Sequence, residues 1–336
     1  MYNKKFKLHF LMLIAVYLFY GCSAKQMEPA HSPLGAAAYK SENYIVHHKQ
    51  STDTYESIAK LYFKDTNRAD ILKEADESLS LNKNKFFIIP LKDKYLGGIY
   101  KDGYQKIPIL CYHKFNEKTD SKLNISAKAF DAQMKYLKDN NFNVITLNQF
   151  LKFVEYKQRI PRKSLVITID DGFKSGFNVA LPILSKYGFK AVYFVYTNYV
   201  GISKKAITWK DLKELKKKGH EIGSHTINHY DLTAKFEGEN HEDYYQRIKK
   251  EIFISKKIID KKLNQDTLFF SLPYGRTNPE VKKLIKSAGY KMGVTVQRGS
   301  NPFYCDPFNL NRDMILSTSI KIFARKLQTF NYISLR

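Results

Sequence analysis

From residue 107 onward, short apolar runs alternate with longer stretches in which apolar residues recur every three or four positions. "IPILCYH", "NVITL", "SLVITI" and "KAVYFVY" read as strands; "SAKAFDAQMKYLKDN", "NQFLKFVEYK", "SGFNVALPILSKYG" and "TWKDLKELKKKG" read as helices. This alternation predicts an α/β fold on a largely parallel sheet. The strands are apolar on both faces, as expected where helices cover one face and a closed sheet's interior the other. No internal repeat at solenoid spacing is visible.

Residues 44–91 carry a different pattern. "YIV" predicts a strand, and "STDTYESIAKLYF" a helix with its N-cap among Ser51, Thr52 and Asp53 and a face of Ile58, Ala59 and Tyr62. "NRADILKEA" predicts a second helix and "KFFIIP" a closing strand, after which "KDKYLGGIYKDGYQK" reads as a connector. At the start, basic "MYNKKFK" precedes apolar "LHFLMLIAVYLFYG", the shape of a secretory signal and too short and wrongly flanked for a membrane span. Cys22, directly after Gly21, resembles the lipidated cysteine of a bacterial lipobox, although Phe19 and Tyr20 stand where smaller residues are usual. The expected organisation is a signal peptide (1–21), a lipidated tether (22–43), a small module (44–92), a linker (93–106) and the main domain (107–336). That places the protein outside the cytoplasm, anchored through Cys22 to a membrane of a bacterial cell envelope. An ordinary signal peptide with an incidental cysteine, or an uncleaved anchor, is the alternative.

A chain of 336 residues with 43% hydrophobic content has enough apolar material for a large core and a small second one. The formal net charge of +24, spread along the chain, favours anionic surfaces, although a lysine-rich composition that merely keeps the protein soluble is the plainer reading. No zinc-finger spacing or RNA-binding aromatic signature is present, so nucleic acid is not an expected partner. Cys111 lies in an apolar stretch, where a free thiol fits as well as a disulfide to Cys305.

Chemistry concentrates where strands end. "SLVITI" runs into Asp170-Asp171-Gly172, and "HEIGS" runs into His225 and His229. In parallel α/β folds sites are built at strand C-termini, so these groups should emerge together. Two adjacent carboxylates repel and lose hydration in an enclosed site unless a cation is present. His225 and His229 are four apart and grip one ion if the segment turns helically. Two imidazoles and one carboxylate with an open position make a catalytic metal site, and the second carboxylate is then free to act as a base. Alone, Asp-Asp-Gly is a common turn and His-x-x-x-His a weak signal; together, each behind an apolar strand, they reinforce one another.

"TIDDGF" (168–173), "SHTINH" (224–229) and "SLPYG" (271–275) resemble the successive motifs of the polysaccharide deacetylase family, the NodB-homology or carbohydrate esterase family 4 domain. The resemblance covers roughly residues 107–330. It implies a distorted (β/α) barrel and metal-dependent removal of N-acetyl groups from a glycan. It implies Asp171, His225 and His229 as metal ligands, Asp170 as general base, and Pro273 with the Tyr274 N–H at the oxyanion and substrate. Zinc is the implied metal, with cobalt or nickel as alternatives.

Two departures stand out. No histidine follows Tyr290, where the family's usual acid lies. "PILCYHKF" instead resembles the opening strand of the exopolysaccharide deacetylase branch, whose permuted order implies His113 as the acid. Ser271 stands where many members carry an Arg that holds the base, and Arg312 in "LNRD" is the implied replacement. Trp209 reads as packing at a helix start, and Asp306 is a candidate support of the site that nothing in the spacing proves.

The 44–92 segment, a strand–helix–helix–strand plan of about fifty residues near the lower size limit for independent folding, resembles the LysM glycan-binding module. Asp76 replaces a usual Asn there, and Thr52 and Asn84 replace usual glycines. The implied partner is an N-acetylglucosamine-containing polysaccharide: peptidoglycan or another cell-surface glycan, with a poly-N-acetylglucosamine exopolysaccharide as the alternative. An O-acetyl esterase of xylan type and a non-catalytic glycan-binding lipoprotein are the rival classes.

Overall fold

The computed structural model describes residues 29–31, 37–40, 43–78, 86–91, 97–100, 102–116 and 123–333. The expected signal segment and the lipidation site Cys22 lie outside these residues, as does Asn84. The chain divides into two compact units, Met1–Lys92 and Asp93–Arg336.

The first unit contains β1 (Pro29–His31), β2 (Ala37–Lys40), β3 (Tyr44–His48), α1 (Tyr55–Phe63), α2 (Ala69–Ser78) and β4 (Phe86–Pro90). Its strands form one antiparallel sheet in that order. Ile45, Phe87 and Ile89 pack against Ile58, Ala59, Ala69 and Leu72 of the helices. Two expectations change. Part of the expected tether pairs as β1 and β2, because β3 would otherwise leave an open edge and Ala37–Lys40 supplies its backbone partners. The N-cap of α1 is Thr54, which exchanges hydrogen bonds with Ser57 in a capping box. Asp53 is engaged elsewhere: its carboxylate meets Gln50 N–H at 2.8 Å and the buried His47 Nε2 at 3.0 Å.

The second unit begins with β5 (Ile99–Tyr100), β6 (Gly103–Ile107), β7 (Ile109–Tyr112), β8 (Lys114–Asn116), β9 (Asn124–Ser126), α3 (Ala127–Asp139), β10 (Asn143–Val144), α4 (Leu147–Val154) and β11 (Ser164–Ile169). It continues through α5 (Leu181–Tyr187), β12 (Val192–Val195), α6 (Trp209–Lys217), β13 (Glu221–Ser224), α7 (His241–Leu263), β14 (Phe269–Ser271) and α8 (Pro279–Ser287). It ends with β15 (Met292–Val294), β16 (Asn301–Pro302), β17 (Asp313–Met314), α9 (Ile320–Arg325) and β18 (Phe330–Tyr332).

The main sheet is parallel, in the order β15-β14-β13-β12-β11-β7-β17 with β10 beside β11. Leu310, just before β17, bridges to Val294 of β15, and its carbonyl accepts the Thr295 N–H at 2.8 Å. The segment 310–314 therefore touches both ends of the sheet and closes it into the expected (β/α) barrel. A smaller sheet of β5, β6, β16 and β18 draws in, through β5 and β6, residues expected to be linker. Gly103 makes that possible: at φ 147°, an added Cβ would lie 2.0 Å from the Asn331 carbonyl oxygen of β18.

Strand alternation sorts the core into two layers. Leu165, Ile167 and Ile169 face outward with Leu110, Tyr112 and Tyr193, against Phe130, Met134, Leu184 and Leu212 of the helices. Ile109, Val166, Val192, Phe194, Phe269 and Val294 fill the barrel interior. The inward parity continues into Cys111 and His113 on the β7 line, Thr168 and Asp170 on the β11 line, and Ser271 on β14. Polar residues thus line the barrel at the C-terminal ends of these strands.

Gly223 marks how tightly the interior is filled beneath them: a Cβ there would sit 2.4 Å from Phe194 Cε1 and 3.0 Å from the Phe269 carbonyl oxygen. Gly223→Ala is expected to lower the unfolding free energy by about 1–3 kcal/mol through overpacking, read from urea denaturation; unchanged stability would show that the neighbours yield freely.

Candidate active site

Asp170 is fully buried and accepts four hydrogen bonds, the weakest from Cys111 Sγ to Oδ2 at 3.9 Å. Arg312 Nη1 donates to its Oδ1 at 2.8 Å, Arg312 Nη2 to its Oδ2 at 2.7 Å, and Ser271 Oγ to Oδ2 at 2.9 Å. The guanidinium has no exposed surface, and its other hydrogens are also used: Nε donates to the Thr295 carbonyl at 2.6 Å and Nη1 to Thr168 Oγ1 at 3.0 Å. Burial pushes the Asp170 carboxyl up, but the bidentate guanidinium outweighs it and holds the group well below the usual carboxylate range. Ser271, small and hydroxylated, leaves room for this fork and joins it, accepting from Arg312 Nη2 at 2.9 Å.

Asp171 would point outward by strand alternation. It sits instead at φ 73°, followed by Gly172 at the same φ, and this turn brings its carboxylate back over the barrel mouth. There its Oδ1 lies 3.5 Å from His225 Nε2 and 3.5 Å from His229 Nε2. His225 Nδ1 meets the Ser271 carbonyl at 2.7 Å; a carbonyl can only accept, so Nδ1 carries the hydrogen and Nε2, beside Asp171, is the ring nitrogen left to bind a cation.

The expected helical turn between the two histidines is not what brings them together. Thr226 and His229 both adopt left-handed conformations, at φ 74° and 62°, and Thr226 Oγ1 accepts the His229 N–H at 2.9 Å. Buried Glu251 of α7 anchors this turn, accepting the Ile227 and Asn228 N–H groups at 2.8 and 2.9 Å. Tyr274, exposed at the rim, is left-handed too (φ 58°), and its ring meets His229 edge-on at 4.9 Å. Left-handed geometry costs a non-glycine residue roughly 1–2 kcal/mol each. Of the nine such residues among those described, four are Asp171, Thr226, His229 and Tyr274. Strain of this density marks a site whose geometry is imposed by its surroundings. Buried Pro273 opens the short turn, Pro273–Gly275, that presents Tyr274.

The donor atoms of Asp171, His225 and His229 all lie within 4.8 Å of one another. Ligands at zinc-type bond lengths of about 2.1 Å stand roughly 3.0–3.4 Å apart. The 3.5 Å spacings around Asp171, the tautomer of His225 and the carboxylate-imidazole donor set therefore fit a divalent cation. Cys111, His113 and Asp170 form a second group within the same span, but it does not fit. Both Asp170 oxygens are bound to Arg312, and burial pushes the Cys111 thiol far above its ordinary pKa.

His113 is half-buried beside Asp170; burial draws its imidazole below the ordinary value, against the opposing pull of Asp170 and Asp171. Cys111 and Cys305 are both free thiols. Trp209 opens α6 and packs against the outer core, and Asp306 binds Lys282 at 3.0 Å rather than any member of the site. The sequence reading missed Thr168, Glu251 and the hydroxyl of Ser271 as supports; the parity of "SLVITI" pointed to Thr168, and nothing local pointed to Glu251.

Residues 157–293 match the family model described as polysaccharide deacetylase. Residues 157–293 thus carry a polysaccharide deacetylase domain. A candidate polysaccharide deacetylase of Bacillus subtilis, YxkH, is 34% identical over 195 residues, 58% of this chain and 66% of that protein. The poly-β-1,6-N-acetyl-D-glucosamine N-deacetylase of Staphylococcus aureus is 29% identical over 203 residues, 57% of this chain and 70% of that one. Among solved structures, the Streptococcus pyogenes deacetylase PplD in complex with acetate aligns with a TM-score of 0.61 at 29% identity, covering 66% of this chain and 98% of that one. The first relative is therefore spanned over slightly less than two thirds of its own length.

Arg312→Met is expected to cost about 3–5 kcal/mol at neutral pH, because it leaves a buried carboxylate unpaired. Asp170 with Arg312 contributes stability above the unfolded carboxyl pKa of ~3.9 and loses it as pH falls through the lower folded value. Without Arg312 the folded value rises above the unfolded one, so the variant's deficit should shrink toward acid pH. Adding Asp170→Asn should restore much of the loss. Urea denaturation of the single and double variants across pH reads this directly, and additive losses would contradict the pairing.

Proposed function

We propose that the protein is a metal-dependent polysaccharide N-deacetylase acting on N-acetylglucosamine units of a cell-surface glycan. The observation that carries this reading is the pair of neighbouring carboxylates with different partners: Asp171 facing two histidines, Asp170 held by Arg312 and Ser271. A purely structural metal site would not need the second, separately braced carboxylate.

Asp171, His225 and His229 would hold the cation. When bound, it supplies Lewis acidity to the acetamide carbonyl and to the attacking water. Asp170 is ionised at any working pH and takes the proton from that water; its low pKa makes it a weak base, matched to a water already acidified. His113, drawn toward the neutral form by burial, receives a proton during the reaction and delivers it to the leaving amine. The Tyr274 N–H hydrogen-bonds the developing oxyanion, with Pro273 shaping the turn that presents it.

The S. aureus relative, named for poly-β-1,6-N-acetyl-D-glucosamine, favours that polymer as substrate. The LysM-like plan of the first unit instead favours peptidoglycan or a related wall glycan. Export through the N-terminal segment and lipid anchoring at Cys22 belong to the same proposal, and zinc is the metal of choice for the two-histidine, one-carboxylate set.

Acetate release should be measured on β-1,6-linked N-acetylglucosamine oligomers, chitooligosaccharides, peptidoglycan and acetylated xylan, before and after chelation and zinc add-back. Release from at least one N-acetylated substrate, abolished by chelator and restored by zinc, is expected. Release from O-acetylated xylan alone would move the enzyme to the esterases, and no release from any substrate would overturn the proposal. His113→Ala is expected to reduce kcat by roughly 10²–10⁴-fold with little change in KM; unchanged kcat would remove its role as acid.

A further inference from the structure

One groove lies away from the chemistry. It measures about 520 Å³ and runs between the C-terminal ends of α6 and α7, lined by Lys213, Lys216, Lys217, Lys261 and Lys262. Lys216 is structural: its Nζ donates to the Leu263 and Asn264 carbonyls at 2.8 and 2.9 Å, capping α7 and fixing one wall. The other four are exposed, and none has an acidic partner among the described residues. The acids nearby are already engaged: Glu214 lies 3.9 Å from Lys218, while Asp260 and Asp266 both pair with Lys256. Single lysines at helix C-termini are ordinary complements of the helix dipole. Two helix ends converging with four uncompensated ammonium groups make a focused positive field.

The position of this groove is fixed by topology. The α6 end leads into the start of β13 and the α7 end into the start of β14, so the groove lies at the N-terminal end of the parallel strands. Asp170, His225 and Ser271 lie at the opposite end. The groove's end of the barrel also carries the small sheet, because β6 runs directly into the start of β7. Tyr304, in the turn after β16, and Tyr332 of β18 are 62% and 77% exposed, and Ile333 follows at 44%. Exposed lysines, tyrosines and aliphatics at one end of a barrel are the side-chain types found at a membrane–water interface.

We propose that this end of the barrel docks on an anionic phospholipid surface, with Lys213, Lys217, Lys261 and Lys262 meeting the headgroup phosphates. Docked in this way, the barrel turns its catalytic mouth away from the bilayer and toward a glycan outside it. The docking rests on surface charge and topology, and stands or falls separately from the reaction assigned to the site.

The test is co-sedimentation of the full chain with phosphatidylcholine vesicles, with and without phosphatidylglycerol, at low and high salt. Any partitioning of the apolar N-terminal segment is common to both vesicle types, so the readout is the difference between them. The wild type should prefer phosphatidylglycerol at low salt. Replacing the four lysines by Gln should remove roughly tenfold to 100-fold of that preference while leaving acetate release from soluble oligomers unchanged. A quadruple variant that keeps the wild-type preference overturns the proposal. Lysine-dependent capture by soluble poly(glycerol phosphate), without lysine-dependent vesicle binding, also overturns it, in favour of an anionic wall polymer.

Discussion

The ion pair between Arg312 and Asp170 is the interaction on which the site's geometry rests. Two groups 142 residues apart meet inside a barrel, where each alone would carry a desolvation penalty of several kcal/mol. The pair is tolerable because every guanidinium N–H direction that faces protein finds an acceptor: two carboxylate oxygens, Ser271, Thr168 and the Thr295 carbonyl. Arg312 belongs to the segment that touches both β15 and β7, so the pairing of charges and the closure of the barrel are one structural event. It also decides the roles of the two neighbouring carboxylates. With both oxygens committed to Arg312, Asp170 is a poor metal ligand, and the histidines are left to Asp171.

That division explains why the chain accepts so much backbone strain at one place. A regular strand end would send Asp171 toward the helices, and a regular helical turn would set His225 and His229 on a helix surface. Left-handed residues at Asp171, Thr226 and His229 redirect all three groups over the barrel mouth. The supports sit behind them: Gly172 continues the first turn, and Glu251 holds the second through the amides of Ile227 and Asn228. Strain of this kind persists only where the surrounding fold over-determines it.

Much of the barrel was legible from pattern alone, because alternating apolar runs and helical periods report burial, and burial is what the sequence encodes most directly. "SLVITI" before Asp170 and "HEIGS" before His225 located the site at the strand ends for that reason. What stayed hidden depended on backbone conformation or on distant partners. The capping residue of α1 was off by one position because Asp53 has a stronger use beside buried His47. Two strands were read as a tether, since "AAAYK" carries little hydrophobic signal and pairs through its backbone. Linker residues 99–100 and 103–106 entered a sheet because Gly103 admits β18 at close range. The closeness of Arg312 to Asp170 was suggested by family resemblance rather than by spacing, and no local feature marked Glu251.

The division of labour between the two carboxylates is tested most directly by loading the purified protein with cobalt and following its visible absorption in the wild type, Asp170→Asn and Asp171→Asn. The ligand assignment requires Asp170→Asn to give a cobalt spectrum and stoichiometry like the wild type while losing acetate release, and Asp171→Asn to lose the spectrum itself. Loss of bound cobalt in Asp170→Asn with retention in Asp171→Asn would contradict it.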